Sequence, residues 1–394
     1  MNNFSYWSPT KVSFGAGIVG QVGAEAKAFG GTNALVVYGM GSAIRSGLLD
    51  TVTASLAAEG IEYACVGGVQ PNPLAEFAQK IVDDFRGKGV DFVIAVGGGS
   101  VIDTAKTVAN GLAAPDIPIW DYFCARETVK ASLHVGVVLT IAAAGSETSQ
   151  SAVLTNQTTG IKRGFLSPFN RPAFAIMDPE LTYTLSRRDT VCGIVDILMH
   201  TLDRYFAPDA DNAVTDELGE ALMRVVVRYG EIVLESPRDY KARSELMWAG
   251  SLAHNGLTGL GQNLDFSVHQ LGQALSGKYD MPHGESLSIM WAPWARYVFR
   301  DDVPRFARYA RNVWGVSDSG DEAAAQAGID ATEGFFKSIG APLSLTEAVG
   351  ESVRGDVDAL AELCSFYHTR KIGAFRVLDA EDMKAIYMAA LCKD

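Results

Sequence analysis

What this chain lacks narrows its identity before any motif is read. Cysteine is scarce: Cys65, Cys124, Cys192, Cys364 and Cys392 are five among 394 residues, scattered and with no CxxC pair. That excludes a disulfide framework and fits a reducing, cytoplasmic setting. Basic residues are outnumbered, 33 Lys and Arg against 46 Asp and Glu, for a net charge of -13. A surface of that sign repels phosphate backbones, so nucleic acid is not an expected partner. No apolar run reaches the roughly 18 residues of a membrane span; the longest, 135-VGVVLTIAAAG, stops short of it. The opening MNNFSYWSPTKVSF lacks the basic-then-apolar order of a secretory signal. Internal repeats and low-complexity tracts are also missing.

What is present is apolar residues in two different rhythms. With 48% hydrophobic residues, a chain of this length can bury two cores. The first half carries continuous apolar runs at 34-ALVVYG, 61-IEYACVGGV, 92-FVIAVGG, 134-HVGVVLTIA and 174-FAIMD. Helical segments lie between the first three, at 43–60 and 74–89. Strands that are apolar throughout and alternate with helices predict a parallel sheet covered on both faces. Ahead of them, 11-KVSFGAG reads as a strand of an N-terminal ribbon. After 178-DPELTYTLSRRD almost every pattern has the 3.6-residue helical period. In 216-DELGEALMRVVVRYGEIVLES, the stripe is Leu218, Leu222, Val225, Tyr229 and Ile232. The expected fold is an α/β domain over 1–187 followed by an all-helical domain over 188–394. The clearest loops are 207-APDADN and 315-GVSDSGDE.

Three glycine turns of the first half suit a phosphate-bearing ligand. In 92-FVIAVGGGSVIDTAK, a buried strand turns through Gly97, Gly98 and Gly99 into a helix that Ser100 would cap. Free amides and the helix dipole at such a point favour phosphate over a plain tight turn. A second turn, 36-VVYGMGSAIRSG, is not a GxGxxG fingerprint. It is informative because Gly39 stands where a carboxylate could grip a ribose 2′-hydroxyl, followed by Met40, Gly41, Ser42 and Arg45. Without a negative group there, a 2′-phosphate is tolerated, so NADP(H) is expected over NAD. A third turn, 140-TIAAAGSETS, offers Thr140 and Ser146 to a nicotinamide, though a simple strand-to-loop transition reads equally well. Asp103 and Lys106, on the helix after the glycines, either face the cofactor or make surface contacts.

Histidine is also rare, with six in all. Asp196 and His200 in 194-IVDILMHTL share one face of a greasy helix. His269 in 264-LDFSVHQLGQAL and His283 in 280-DMPHGESLSIM sit in similar settings. One carboxylate and three imidazoles make a suitable shell for Zn2+ or Fe2+. By spacing alone, the Asp196–His200 pair reads equally well as a buried ion pair. His134, His254 and His368 read as ordinary histidines.

Taken together, 97-GGGSVIDTAK, 145-GSE, 178-DPEL, 193-GIVDILMH, 265-DFSVHQLG and 281-MPHGESL occur in the order found in the iron-containing (group III) alcohol dehydrogenases. The chain resembles that family from Phe14 to its C-terminus, and most of all the NADPH-dependent butanol dehydrogenase and aldehyde reductase branch. The resemblance implies a dinucleotide-binding domain and a helical metal-binding domain. It implies Asp196, His200, His269 and His283 as ligands of one divalent ion, Fe2+ or Zn2+, around which catalysis occurs. It also implies cofactor contacts from Gly39, Met40, Gly41, Ser42, Asn72, Gly97, Gly98, Gly99, Ser100, Asp103, Thr140, Ser146, Lys162 and Leu181. Members commonly dimerise through the N-terminal ribbon. Two departures stand out. Gln273 occupies the place of a common second histidine in HxxxH and cannot shuttle a proton, and Ala144 replaces a common Thr. The expected reaction is hydride transfer between NADP(H) and a small primary alcohol or aldehyde. Trp120, Phe123, Leu257 and Leu260 are candidates to line the pocket. A polyol dehydrogenase or a dehydroquinate synthase-like elimination on the same scaffold is the alternative. The elimination would need several Lys and Arg near the histidines, where only Lys278 is found.

Overall fold

A computed structural model describes residues 1–208, 211–317 and 320–392. The centres of both expected loops, 209–210 and 318–319, lie outside the described residues. The chain divides into two compact units, Trp7–Leu185 and Met1–Tyr6 with Ser186–Asp394.

The first unit is built on six parallel strands: β1 (Lys11–Phe14), β2 (Asn33–Gly39), β3 (Glu62–Val69), β4 (Phe92–Gly97), β5 (His134–Leu139) and β8 (Phe174–Met177). Their order across the sheet is β1-β8-β5-β4-β2-β3. Every residue of β4 is buried, as an all-apolar central strand demands. β1 departs from the expected ribbon. It pairs in parallel with β8, Lys11 opposite Phe174 and Phe14 opposite Met177, and so forms an edge of the main sheet. A hairpin of β6 (Ser151–Thr155) and β7 (Lys162–Leu166) went unread in the sequence, because its short strands carry polar and basic residues. The helix expected over 43–60 is two, Ser42–Arg45 and Leu48–Ala58, because Gly47 adopts a left-handed conformation between them.

The second unit is helical around a central helix, Arg187–Tyr205. Ser186 caps its start by accepting from the Asp189 amide, and every residue from Gly193 to Tyr205 is buried. A helix apolar on all sides belongs in a core, so any charged group on it is there for a reason other than solubility. Helix Ala213–Glu235 buries Leu222, Met223, Val226 and Val233, with Gly219 and Gly230. That face is turned from the expected stripe, and Leu218 is exposed. Gly230 lets Ile194 approach closely, a packing determinant that apolar periodicity does not register.

Candidate metal centre and glycine turns

The central helix places Asp196 and His200 one turn apart, both buried. Two further helices bring the remaining imidazoles to them. Helix Ser267–Tyr279 carries His269 in its first turn. That helix is started by Asp265, whose carboxylate accepts from the amides of Ser267, Ala374 and Phe375. Helix His283–Val298 begins at His283 itself. It is held on the central helix by a two-pronged Arg188–Glu285 ion pair and by Gly284, where any side chain would overlap the Cys192 backbone. Sequence distance is thus closed by local packing.

The resulting geometry is compact. Oδ1 of Asp196 lies 3.4 Å from Nε2 of His200, 3.8 Å from Nε2 of His269 and 3.9 Å from Nε2 of His283. Asp196 Oδ1 and His269 Nε2 are buried and lack a hydrogen-bond partner among the described residues. Orphaned buried polar atoms are costly, and a cation at their centre removes that cost. Donors about 2.0–2.1 Å from a tetrahedral ion stand roughly 3.4 Å apart, so Asp196, His200 and His269, whose donor atoms all lie within 4.8 Å of one another, fit a divalent metal in both spacing and chemistry, with His283 beside Asp196. Burial, together with the imidazoles of His254 and His269, holds His200 well below the ordinary imidazole range, in the neutral form a ligand needs. For His269, burial pulls downward but the carboxylates of Asp203 and Asp196 outweigh it and raise the group.

Three neighbours of this cluster were not singled out in the sequence. Asp203 stands 2.5 Å from Nδ1 of His269. Arg204 donates to the His200 carbonyl oxygen at 2.6 Å. His254, read as ordinary, stacks on His200 with ring centroids 4.1 Å apart. The i,i+3 and i,i+4 spacing of Asp203 and Arg204 from His200 was the available signal. His254 gave none. His134 and His368 are exposed and lie apart from the cluster's ring contacts. Lys278 is engaged with Asp356 at 3.3 Å.

In the first unit, the three glycine turns meet at the carboxyl ends of adjacent strands. Tyr38 of β2 is opposite Val96 of β4, and Gly97 of β4 is opposite Leu139 of β5. Gly39, Gly97 to Gly99 and Thr140 therefore leave the sheet side by side. Open α/β sheets bind ligands at such an edge. Ser100 does not cap the following helix. Helix Gly99–Ala113 is entered from Gly98 with no side-chain cap, leaving its first amides available. Gly97 and Gly98 are also required by packing, since a Cβ would collide with Val101 and Ile141 respectively. Gly39 is different: a Cβ there comes no nearer than 3.6 Å to any atom. Met40 is exposed, Gly41 has φ 135°, and Ser42 begins the short helix that ends at Arg45.

Asp103 and Lys106 make no surface contact; both are buried. Lys106 Nζ donates to the carbonyls of Ser146 and Ser151 at 2.7 and 2.8 Å. Ser146 in turn donates to Asp103 at 2.6 Å. Burial pulls the Lys106 ammonium down to about 8 and lifts Asp103, against Lys106 and Ser146. Lys162 donates to Asn72 at 2.8 Å, which joins two expected cofactor residues, with Asn72 held at φ 53°. Leu181 packs against the apolar core beside the sheet. Phe123 is interior, between Trp120 and Phe165; Leu257 and Leu260 follow His254 in the helical unit.

Residues 9–179 match the family model described as iron-containing alcohol dehydrogenase. Residues 190–391 match the model of the Fe-containing alcohol dehydrogenase family, C-terminal. The chain is 37% identical to NADH-dependent butanol dehydrogenase A of Clostridium acetobutylicum over 98% of its own length and 99% of that protein's. It is 34% identical to the NADPH-dependent aldehyde reductase YqhD of Escherichia coli over 88% of this chain and 89% of the reductase. The crystal structure of NADH-dependent butanol dehydrogenase A from Thermotoga maritima superimposes with a TM-score of 0.96 at 34% identity, covering 100% of this chain and 99% of the other.

Proposed function

The chain belongs to the iron-containing alcohol dehydrogenase family, and from that premise we propose that it is a metal-dependent oxidoreductase moving hydride between NADP(H) and a small primary alcohol or aldehyde. The observation that carries the reading is the convergence of three Nε2 atoms on one oxygen of Asp196, with buried atoms left unsatisfied.

Asp196, His200, His269 and His283 would hold one Fe2+ or Zn2+; both ions accept this donor set. When bound, the ion supplies Lewis acidity toward an alcohol or aldehyde oxygen, and the nicotinamide exchanges the hydride. The rest is the protein's work. The uncapped amides at Gly99 and Ser100 are suited to the pyrophosphate, and Lys106 ties the Ser146 loop and Asp103 into one rigid support for the nicotinamide end. Asn72 and Lys162 present a polar pair from another strand end. At Gly39 no carboxylate opposes a 2′-phosphate, and Ser42 and Arg45 are near at hand, which supports NADP(H). Two of the relatives differ on this point, one being named for NADH and the other for NADPH. Gln273 leaves the proton to a group other than a second HxxxH histidine.

A cytoplasmic homodimer completes the reading, supported by five free cysteines and by the family. No described helix is long and apolar enough to cross a membrane. The test is NADPH oxidation with butanal, followed by absorbance before and after chelation. Activity lost to the chelator and restored by Fe2+ or Zn2+ is expected. Turnover indifferent to metal, or phosphate release from a sugar-acid phosphate instead, overturns the reading.

A further inference from the structure

Asp203 is fully buried, seven residues after Asp196 and three after His200, so the three groups follow one another along one side of the central helix. Its Oδ2 lies 2.5 Å from Nδ1 of His269 and also accepts from the His269 backbone amide at 3.3 Å. A carboxylate only accepts, so the hydrogen between the two side chains sits on Nδ1 of the ring. In the neutral ring that a metal ligand must be, Nε2 is then the bare nitrogen, and it faces Asp196 Oδ1. The second oxygen of Asp203, Oδ1, is buried without a hydrogen-bond partner among the described residues. A half-satisfied buried carboxylate is a poor staple between helices, because a hydroxyl or amide would join them at less desolvation cost. Its placement makes sense through the ring it grips.

We infer that Asp203 is a positioning residue for the metal centre: it fixes His269 in the Nδ1–H tautomer and stops the ring from turning, so that Nε2 is presented to the ion. The inference rests on the metal-site reading above. Partners of this kind, behind a ligating histidine, change metal affinity by roughly 10- to 100-fold.

The test uses full-length protein stripped of metal, titrated with Zn2+ in competition with a chromophoric chelator. Wild type is compared with Asp203→Asn, which keeps an acceptor oxygen of similar shape, and Asp203→Leu, which does not. The expected order is a loss of about tenfold for Asn and about 100-fold for Leu. In metal-free protein labelled with 15N-histidine, the His269 ring should show Nδ1–H in the wild type and in Asp203→Asn, and shift toward Nε2–H in Asp203→Leu. A lowered melting temperature with Zn2+ affinity indistinguishable from wild type makes Asp203 merely structural and overturns the inference. If Asp203→Leu does not fold, Asp203→Asn decides alone, and unchanged affinity there also overturns it. Wild-type protein that takes up neither Zn2+ nor Fe2+ fails earlier, before any substitution, and removes the metal-site reading together with the inference.

Discussion

Gly284 lies against the backbone of Cys192 so closely that there is no room between them for a methyl group. This contact seats the start of helix His283–Val298 on the central helix, and it brings His283 to Asp196. A Gly284→Ala substitution must push the two helices apart. It is expected to cost about 1–3 kcal/mol in chemical denaturation, the usual range for overpacking, and to weaken Zn2+ binding as His283 moves off. Gly334→Ala, in helix Asp321–Ile339 with open space around its Cβ position, is the control and should leave both readings unchanged or slightly improved. Equal Zn2+ affinity in the two variants would contradict the role given to the contact.

Removing the carboxylate at the centre of the cluster separates the two jobs of the molecule. Asp196→Ala should lower aldehyde reduction by on the order of a thousandfold, the several kcal/mol of charge stabilisation a metal provides. NADPH affinity, measured by fluorescence titration, should stay close to wild type. Loss of nucleotide binding in this variant would argue against that division of labour.

Gly39 has room for a side chain, so Gly39→Asp should fold normally. Its carboxylate would face the 2′-phosphate of NADPH and offer an acceptor to the 2′-hydroxyl of NADH. We expect the KM for NADPH to rise about tenfold, the scale of one unfavourable charge contact, while that for NADH falls or holds. An unchanged ratio of the two would refute the assignment of this strand end to the 2′ position.

Lys106, fully buried, donates to the backbone carbonyls of Ser146 in a loop and of Ser151 at the start of β6. Lys106→Met fills similar space but orphans those oxygens and leaves Asp103 without its cation. About 3 kcal/mol of stability should be lost, as when a buried charge loses its partner, and KM for the nucleotide should rise because Ser146 is no longer held. Unaltered denaturation midpoints would show that the network contributes little.

Much of this protein was written locally. The all-apolar runs at 34–39, 92–97 and 174–177 could only be buried parallel strands, since a strand covered on both faces has no polar side to alternate with. Asp196 and His200 were legible as a pair because four residues of helix fix their mutual position without help from the rest of the chain. Gly39 was informative for a related reason: its meaning depends on a charge that is missing from one strand end.

What the fold alone decided involves partners far apart in sequence. That β1 extends the main sheet, that β6 and β7 form a hairpin, and that helix Ala213–Glu235 turns its glycines inward all depend on which surfaces meet. The same holds for His254 stacking on His200 and for Asp203 reaching His269. Periodicity reports which side of an element is apolar; it carries no record of what that side is packed against. The four candidate ligands come from three helices of one unit, and close packing at Gly284, the Arg188–Glu285 ion pair and the anchoring carboxylate of Asp265 help set their distances, because the energy that fixes them belongs to contacts between segments rather than to any segment by itself.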